Sequence, residues 1–286
     1  MILVTGATGF VGRALASELV VNGSQVKALV RKVSTYLPVE IEQVLVDLGE
    51  IEDAGAIKDA FAGVDVVVHA AARVHMMQDR SANPLDEFRK LNRDATLALA
   101  SLSANVGVNR FVFLSSIKVN GEETFPRKRA SVFKPDDAFI PTDPYGLSKY
   151  EAEQGLRALA KETGMEVVII RPPLVYGPGV KANFASMINW LRKGVPLPLG
   201  AINNKRSFVA LDNLVSFIVL CADRSRSPKA ANQVFLISDG EDLSTTQLFR
   251  KVAEALGKVP RLLPVPMGLM RFVARLIGKA DVANRL

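Results

Sequence analysis

Cysteine is nearly absent. The single Cys221 excludes an internal disulfide. Two histidines, His69 and His75, without a cysteine cluster argue against a zinc site, and no metal is expected. No apolar run reaches the length of a membrane span. The opening MILVTG is an apolar strand without a charged leader, so a cytoplasmic location is expected. Charge of one sign is also missing: 36 Lys plus Arg stand against 29 Asp plus Glu, a net +7 that is spread along the chain. The densest basic run, Arg127-Lys128-Arg129, has one aromatic nearby, Phe125. That does not make a nucleic-acid surface. Internal repeats and low-complexity tracts are lacking too. The segment PMGLMRFVARLIGK (266–279) mixes apolar residues with Arg and Lys, and reads as a helix packed on its own domain rather than an interfacial one.

What is present is a core. Of 286 residues, 49% are apolar, enough for one large domain or a large and a small one. Short apolar runs alternate with helical spacing: ILVT (2–5), QVKALV (25–30), EQVLV (42–46), DVVVHA (65–70), RFVFLSS (110–116) and MEVVIIRPP (165–173). A helix is expected from about Phe10 to Val21. Another is expected over 84–107, with Leu85, Phe88, Leu91, Leu97, Leu99 and Leu102 on its apolar face. Near-continuous apolar strands separated by helices predict an α/β fold, a doubly wound parallel sheet of Rossmann type covered on both faces. After Arg171 the pattern loosens, with prolines at 172, 173, 178, 196 and 198. The short runs RSFVA (206–210) and QVFLIS (233–238) alternate there with short helices. The expected division is a dinucleotide-binding domain over 1–171 and a smaller, interleaved C-terminal substrate domain over 172–286, with some segments returning to the sheet.

Two stretches carry chemistry. TGATGFVG (5–12) places Gly6, Gly9 and Gly12 between the first strand and the first helix. Glycine there lets the backbone approach a pyrophosphate at the helix N-terminus. An acid about 20 residues on would bind the ribose 2′-hydroxyl of NAD. The second strand instead ends in Arg31 and Lys32, so a 2′-phosphate and NADP(H) are favoured, with NAD(H) the alternative. Asp47, closing the next strand, is placed to accept from the adenine amino group. In DPYGLSKYEAE (143–153), Tyr145 and Lys149 share a helix face. An ammonium beside a phenol favours the phenolate, which would make Tyr145 a proton donor and acceptor near working pH.

Five motifs, TGATGFVG, DVVVHAAA (65–72), FVFLSSIKVNG (111–121), YGLSK (145–149) and IIRPPLVYGPG (169–179), stand in an order and spacing that resembles the extended short-chain dehydrogenases/reductases. The branch it looks like acts on nucleotide sugars, and the likeness covers nearly the whole chain. The resemblance implies Ser116, Tyr145 and Lys149 as the catalytic set: Ser116 binds the reacting sugar oxygen, Tyr145 is the acid/base, and Lys149 holds the nicotinamide ribose. It implies a cofactor site from Gly6, Thr8, Gly9, Phe10, Val11, Gly12, Arg31, Asp47, Leu48, Ala70, Ala71, Ala72, Asn92 and Pro172, with Tyr145 and Lys149. For the substrate it implies Ser115 (the alternative to Ser116), Ser116, Lys118, Asn183, Arg206 and Arg271. The loop RVHMMQDRSAN (73–83) follows the fourth strand at the carboxyl edge of the sheet, so His75 reads as a sugar contact or a solvent-exposed residue rather than a catalyst. Family dehydratases carry an Asp-Glu pair after the catalytic Ser/Thr. Here Ile117 and Lys118 stand there, which disfavours water elimination. Asn120 replaces an aromatic found before the glycine in many epimerases. Relatives often continue for further elements past a point equivalent to ANRL (283–286).

The expected activity is hydride transfer at C4 of a nucleotide-diphospho-sugar, by a 4-ketosugar reductase or a 4-epimerase, in a possible homodimer. The missing acid after the second strand tilts this toward the reductase. Alternatives are an NADPH-dependent reductase of a non-sugar ketone and a non-catalytic NADP-binding sensor. The intact Ser/Tyr/Lys set ranks the sensor below the enzyme.

Overall fold

A computed structural model describes residues 1–50, 57–74, 83–124, 132–180 and 182–276. The loop histidine His75 and the basic run Arg127-Lys128-Arg129 lie outside these. The chain divides into two units, Met1–Pro173 with Leu211–Ile237, and Leu174–Ala210 with Ser238–Leu286.

The first unit is a seven-stranded parallel sheet in the order β3-β2-β1-β4-β5-β6-β9. Its strands are β1 (Ile2–Thr5), β2 (Val26–Val30), β3 (Glu42–Leu45), β4 (Val66–His69), β5 (Arg110–Leu114), β6 (Glu166–Arg171) and β9 (Val234–Leu236). The central strands are buried along their length, which is why they read as continuous apolar runs. The order turns back between β1 and β4, where a doubly wound sheet opens its ligand crevice at the carboxyl ends.

Alternation along each strand sends Leu3, Val67, Phe111, Phe113, Val167 and Ile169 to one face. There they pack under α3 (Ala95–Asn105) and α4 (Pro144–Thr163) through Leu99, Ala100, Ala152 and Leu156. Helices α1 (Phe10–Val21) and α6 (Leu211–Ala222) pack on each other and on the central strands, and contribute nothing to that cluster. The predicted helix over 84–107 is three pieces: α2 (Pro84–Arg89), a π turn (Lys90–Asp94) and α3.

The second unit holds a two-stranded parallel ribbon, β7 (Leu174–Tyr176) and β8 (Phe208–Ala210). Its helices are α5 (Ala182–Arg192), α7 (Thr245–Ala255) and α8 (Met267–Leu276). Met187, Leu191, Ile202 and Phe249 are buried in its core. Ser244 opens α7 with a reciprocal capping box to Gln247. QVFLIS supplies β9, a C-terminal segment that returns to the main sheet, paired with β6 at its edge through Ile169–Val234 and Ile170–Phe235.

Candidate active site

Gly6 leaves β1 with φ +69°, and a Cβ on it would stand 2.6 Å from the Ala71 nitrogen and 2.7 Å from the Ala70 carbonyl carbon. A Cβ on Gly12 would meet the Gly6 carbonyl oxygen. Glycine at both positions lets the turn press onto the end of β4. Gly9 is the N-cap of α1 and no side chain caps that helix. The first-turn N–H groups therefore keep their capacity for an anion. Thr8 and Gly9 are exposed, Phe10 and Val11 half-buried, Gly12 buried. This cradle fits the pyrophosphate of a dinucleotide.

Arg31 and Lys32 are exposed after β2, and no carboxylate follows them before Glu40. Asp47 is exposed after β3, and its Oδ1 accepts from the Gly49 nitrogen (2.9 Å), where the 3-10 turn Leu48–Glu50 begins. Ala70 and Ala71 are half-buried beyond β4, and Ala72 is exposed.

Behind the cradle runs a directional hydrogen-bond chain. The Ala71 N–H donates to Thr5 Oγ1 (3.3 Å), and Thr5 Oγ1 meets His69 Nδ1 (2.7 Å). His69 Nε2 meets Thr96 Oγ1 (2.9 Å), and the Thr96 hydroxyl donates to the Asn92 carbonyl (2.9 Å). With the Thr96 proton committed, His69 must donate from Nε2 and accept at Nδ1. Burial first, and the Lys149 charge second, push the His69 pKa down to about 3, so this ring is neutral. Asn92 is fully buried. Its Oδ1 accepts from Arg73 N (2.8 Å), and its Nδ2 donates to Arg73 O (3.0 Å) and Ser148 Oγ (3.1 Å).

The catalytic candidates meet where β5 ends against α4. Asp143 caps α4 by accepting from Gly146 N (3.0 Å), and Pro144 occupies the first turn, which fixes where Tyr145 begins. Ser116 stands beside the Tyr145 phenol and lowers its pKa, while its own hydroxyl accepts from Lys118 N (3.3 Å). Phe88 lies edge-on to the Tyr145 ring at 5.9 Å. Lys149 is buried. Its Nζ donates to the Leu114 carbonyl (3.0 Å) and lies 4.5 Å over the Phe113 ring. Pro172 is buried, and its carbonyl accepts from Ile117 N (3.0 Å), holding the loop after Ser116 against β6.

Two expectations are corrected here. Lys149 does not lower the Tyr145 phenol in this arrangement. Burial pushes the phenol up to about 12, opposed by the Ser116 hydrogen bond and reinforced by Asp143. Desolvation outweighs a cation whose donor is turned to a backbone carbonyl. Lys149 is itself pushed down to about 7, by burial first, with Glu153 opposing. Ser115 is no alternative to Ser116, because its buried hydroxyl donates to Glu153 Oε1 (2.6 Å).

Lys118 is half-buried, with its ammonium on Glu122 (3.0 Å) and Asp143 (3.2 Å). Asn183, Arg206 and Arg271 belong to the second unit. Asn183 stands in the first turn of α5. Arg206 is exposed with its backbone paired to Leu243, and Arg271 is exposed on α8. Sequence reasoning missed Glu153, Arg171 and His69. Glu153 had a legible signal, its place one turn beyond Lys149 on the same face. Buried charge at the end of an apolar strand, as at Arg171, carries none.

A profile described as the NAD dependent epimerase/dehydratase family matches residues 2–237. Over 287 aligned residues the chain is 48% identical to a UDP-glucose 4-epimerase of Vibrio cholerae, covering 100% of this chain and 84% of the relative. It is 29% identical to an N-acetyl-alpha-D-glucosaminyl-diphospho-ditrans,octacis-undecaprenol 4-epimerase of Escherichia coli O157:H7, covering 94% of this chain and 77% of that one. Among solved structures, MoeE5 in complex with UDP-glucuronic acid and NAD superposes with a TM-score of 0.74 at 28% identity, over 91% of this chain and 84% of that chain. The Thermotoga maritima UDP-glucose 4-epimerase with UDP-glucose gives 0.73 at 26%, over 93% and 86%. Among the described residues no helix is long and apolar enough to cross a membrane.

Proposed function

The chain belongs to the NAD-dependent epimerase/dehydratase family, the nucleotide-sugar branch of the extended short-chain dehydrogenases/reductases, and on that premise we propose that it interconverts the C4 epimers of a UDP-linked hexose. The observation that carries this reading is Ser116 beside the Tyr145 phenol with the buried Lys149 one turn on, in a chain whose whole length aligns with 84% of a UDP-glucose 4-epimerase. Ile117 and Lys118 supply no carboxylate pair to eliminate water, which separates it from the dehydratases.

Bound nicotinamide dinucleotide supplies the acceptor, and later the donor, of the C4 hydride. Tyr145 Oη takes the proton of the sugar 4-hydroxyl as the C4–H bond breaks, and returns it when hydride re-enters on the other face of the ketone. Ser116 hydrogen-bonds that sugar oxygen and orients it. Lys149 holds positive charge behind the phenol. A phenol near 12 is a poor base, so Tyr145 acts as base only with added positive charge close by. We assign Asn183, Arg206 and Arg271 of the second unit to the nucleotide diphosphate.

The cofactor is NAD(H) on the likeness to MoeE5, whose complex holds NAD. A second reading, NADP(H), rests on one observation: Arg31 and Lys32 follow β2 where a carboxylate would receive the ribose 2′-hydroxyl.

The test is incubation with UDP-glucose without added cofactor, with UDP-galactose read by chromatography. Approach to one equilibrium from both sugars is expected, and Tyr145→Phe should lose about 10²- to 10⁴-fold in kcat. Cofactor released on denaturation identifies NAD or NADP. Failure to convert UDP-glucose, UDP-N-acetylglucosamine or UDP-glucuronic acid, with NADPH consumed on a UDP-4-keto sugar, would replace the epimerase by a reductase.

A further inference from the structure

Two consecutive residues at the end of β5 grip α4 at successive turns. The Leu114 carbonyl accepts from Lys149 Nζ and the Ser115 hydroxyl donates to Glu153 Oε1, while Ser116, next in line, faces the Tyr145 phenol. Residues 145, 149 and 153 lie on one helix face. The grip of Ser115 on Glu153 has no part in the chemistry described above.

Glu153 is fully buried, and its carboxylate is engaged on both oxygens. Arg171, at the end of β6, donates through Nε to Oε1 (2.9 Å) and through Nη2 to Oε2 (2.5 Å). Arg171 Nη1 extends the network to Asn120 Oδ1 (2.9 Å) and the Pro135 carbonyl (3.2 Å), in the loops flanking Ser116 and preceding α4. Glu153 is thus the meeting point of β5, β6, α4 and the loop that delivers Tyr145.

Its charge is also accountable. The neighbourhood buries two cationic side chains, Lys149 and Arg171, around one carboxylate. Among the described residues, the charged or titratable groups that act on Lys149 or feel its charge are Glu153 on its own helix and His69 from β4. From β5 it meets the Leu114 carbonyl and the Phe113 ring. The guanidiniums of Arg89 and Arg93 are occupied by Glu151, and Arg157 reaches Glu153 at 3.7 Å.

We propose that Glu153 is a positioning residue of the active site: clamped by Ser115 and Arg171, it sets the height of α4 against β5 so that Tyr145 meets Ser116, and it supplies the counter-charge that keeps Lys149 an ammonium. The proposal deepens the 4-epimerase reading and rests on it for the reaction, but not for the state of Lys149. Glu153 opposes the burial that pushes Lys149 down to about 7, so this lysine titrates within reach of working pH.

The test reads Lys149 directly. Protein labelled at lysine Cε with carbon-13 is titrated by NMR without substrate, and the Lys149 resonance is assigned by its loss in Lys149→Arg. In Glu153→Gln the midpoint should fall by about one pH unit or more, a tenfold change in the protonation equilibrium. Under the 4-epimerase reading, the alkaline limb of kcat/KM should move down with it. Glu153→Gln leaves Arg171 buried without a partner, which can unfold the chain. Glu153→Gln combined with Arg171→Met removes both buried charges, and the same downward midpoint is expected there. A Lys149 midpoint unchanged in either folded variant, or failure of both to fold, would reduce Glu153 to a structural ion pair and overturn the proposal. Wild-type protein inactive on UDP-sugars, with the midpoint displaced as expected, would fail the epimerase reading and leave Glu153 in its role.

Discussion

At the scale of single residues, space and backbone angle decide more than side-chain chemistry. Gly6 and Gly23 both have positive φ, +69° and +77°. They differ in what a Cβ would meet: the Ala70–Ala71 backbone at 2.6 to 2.8 Å for Gly6, and nothing within 4 Å for Gly23. Left-handed strain alone costs about 1–2 kcal/mol. Gly23→Ala should therefore lower stability by about 1 kcal/mol and leave dinucleotide affinity unchanged. Gly6→Ala carries the same strain and must also separate β1 from β4, so it should lose well over about 2 kcal/mol and bind NADH at least tenfold more weakly. Thermal denaturation and NADH fluorescence titration read the two effects. Equal losses in both variants would mean that β4 yields to the added methyl. The glycine spacing was legible because only glycine fits such a turn. The division of labour between Ser115 and Ser116 was not, because adjacent residues leaving a strand point to opposite sides and the sequence does not say which side α4 occupies.

Among the elements, the segment over 84–105 shows where periodicity stops informing. Its apolar residues have helical spacing and the helix is there, but the π turn Lys90–Asp94 shifts the faces of α2 and α3 relative to one another. The shift buries Asn92, whose ordinary place on a helix is the solvent side. The extra residue of a π turn frees local backbone bonding, and such turns recur at functional sites. Here the buried amide closes Arg73 on both its N–H and its C=O and reaches Ser148, next to Lys149. Asn92→Leu fits the volume but leaves those groups unpaired, so we expect a loss of about 2–4 kcal/mol in urea denaturation. Loosening α4 at Ser148 should also lower kcat on the sugar more than it raises KM. A Leu variant as stable as wild type would show that water replaces the amide. The parallel sheet was legible from its apolar strands. Which C-terminal segment returns to it was not, because a three-residue strand carries too little pattern to choose between an edge of the large sheet and the small ribbon.

For the whole molecule, the buried groups make stability depend on pH, and their signs can be worked out. His69 has a folded pKa of about 3 against 6.5 when unfolded. Between those values the unfolded chain takes up a proton that the folded chain refuses, so stability falls as pH drops below 6.5 and levels off near 3. Glu151 and Glu166 are held below the usual carboxylate value by their arginines, and their contribution is lost lower still, as pH falls through 4.5 and beneath. Lys149, lowered from 10.5 to about 7, adds stability as pH rises across that span. Cys221 and Tyr145, both raised by burial, remove it above 9 and 10 respectively. These influences oppose one another only above 9, and none of them acts much below 7, which leaves the window from 6.5 down to 5 to His69. A fully buried histidine contributes about 1.4 kcal/mol per pH unit there, or about 2 kcal/mol by pH 5. Urea midpoints should therefore fall from pH 8 to 6.5 through Lys149 alone, and drop again by pH 5 through His69. His69→Gln can keep a donor toward Thr96 and an acceptor toward Thr5 without a titrating ring. It should start less stable at pH 8 and lose about 2 kcal/mol less on reaching pH 5. A variant that falls in parallel with wild type would place the acid sensitivity in the carboxylates. The hydrogen-bond chain behind the nucleotide cradle would then be indifferent to the charge of its central ring.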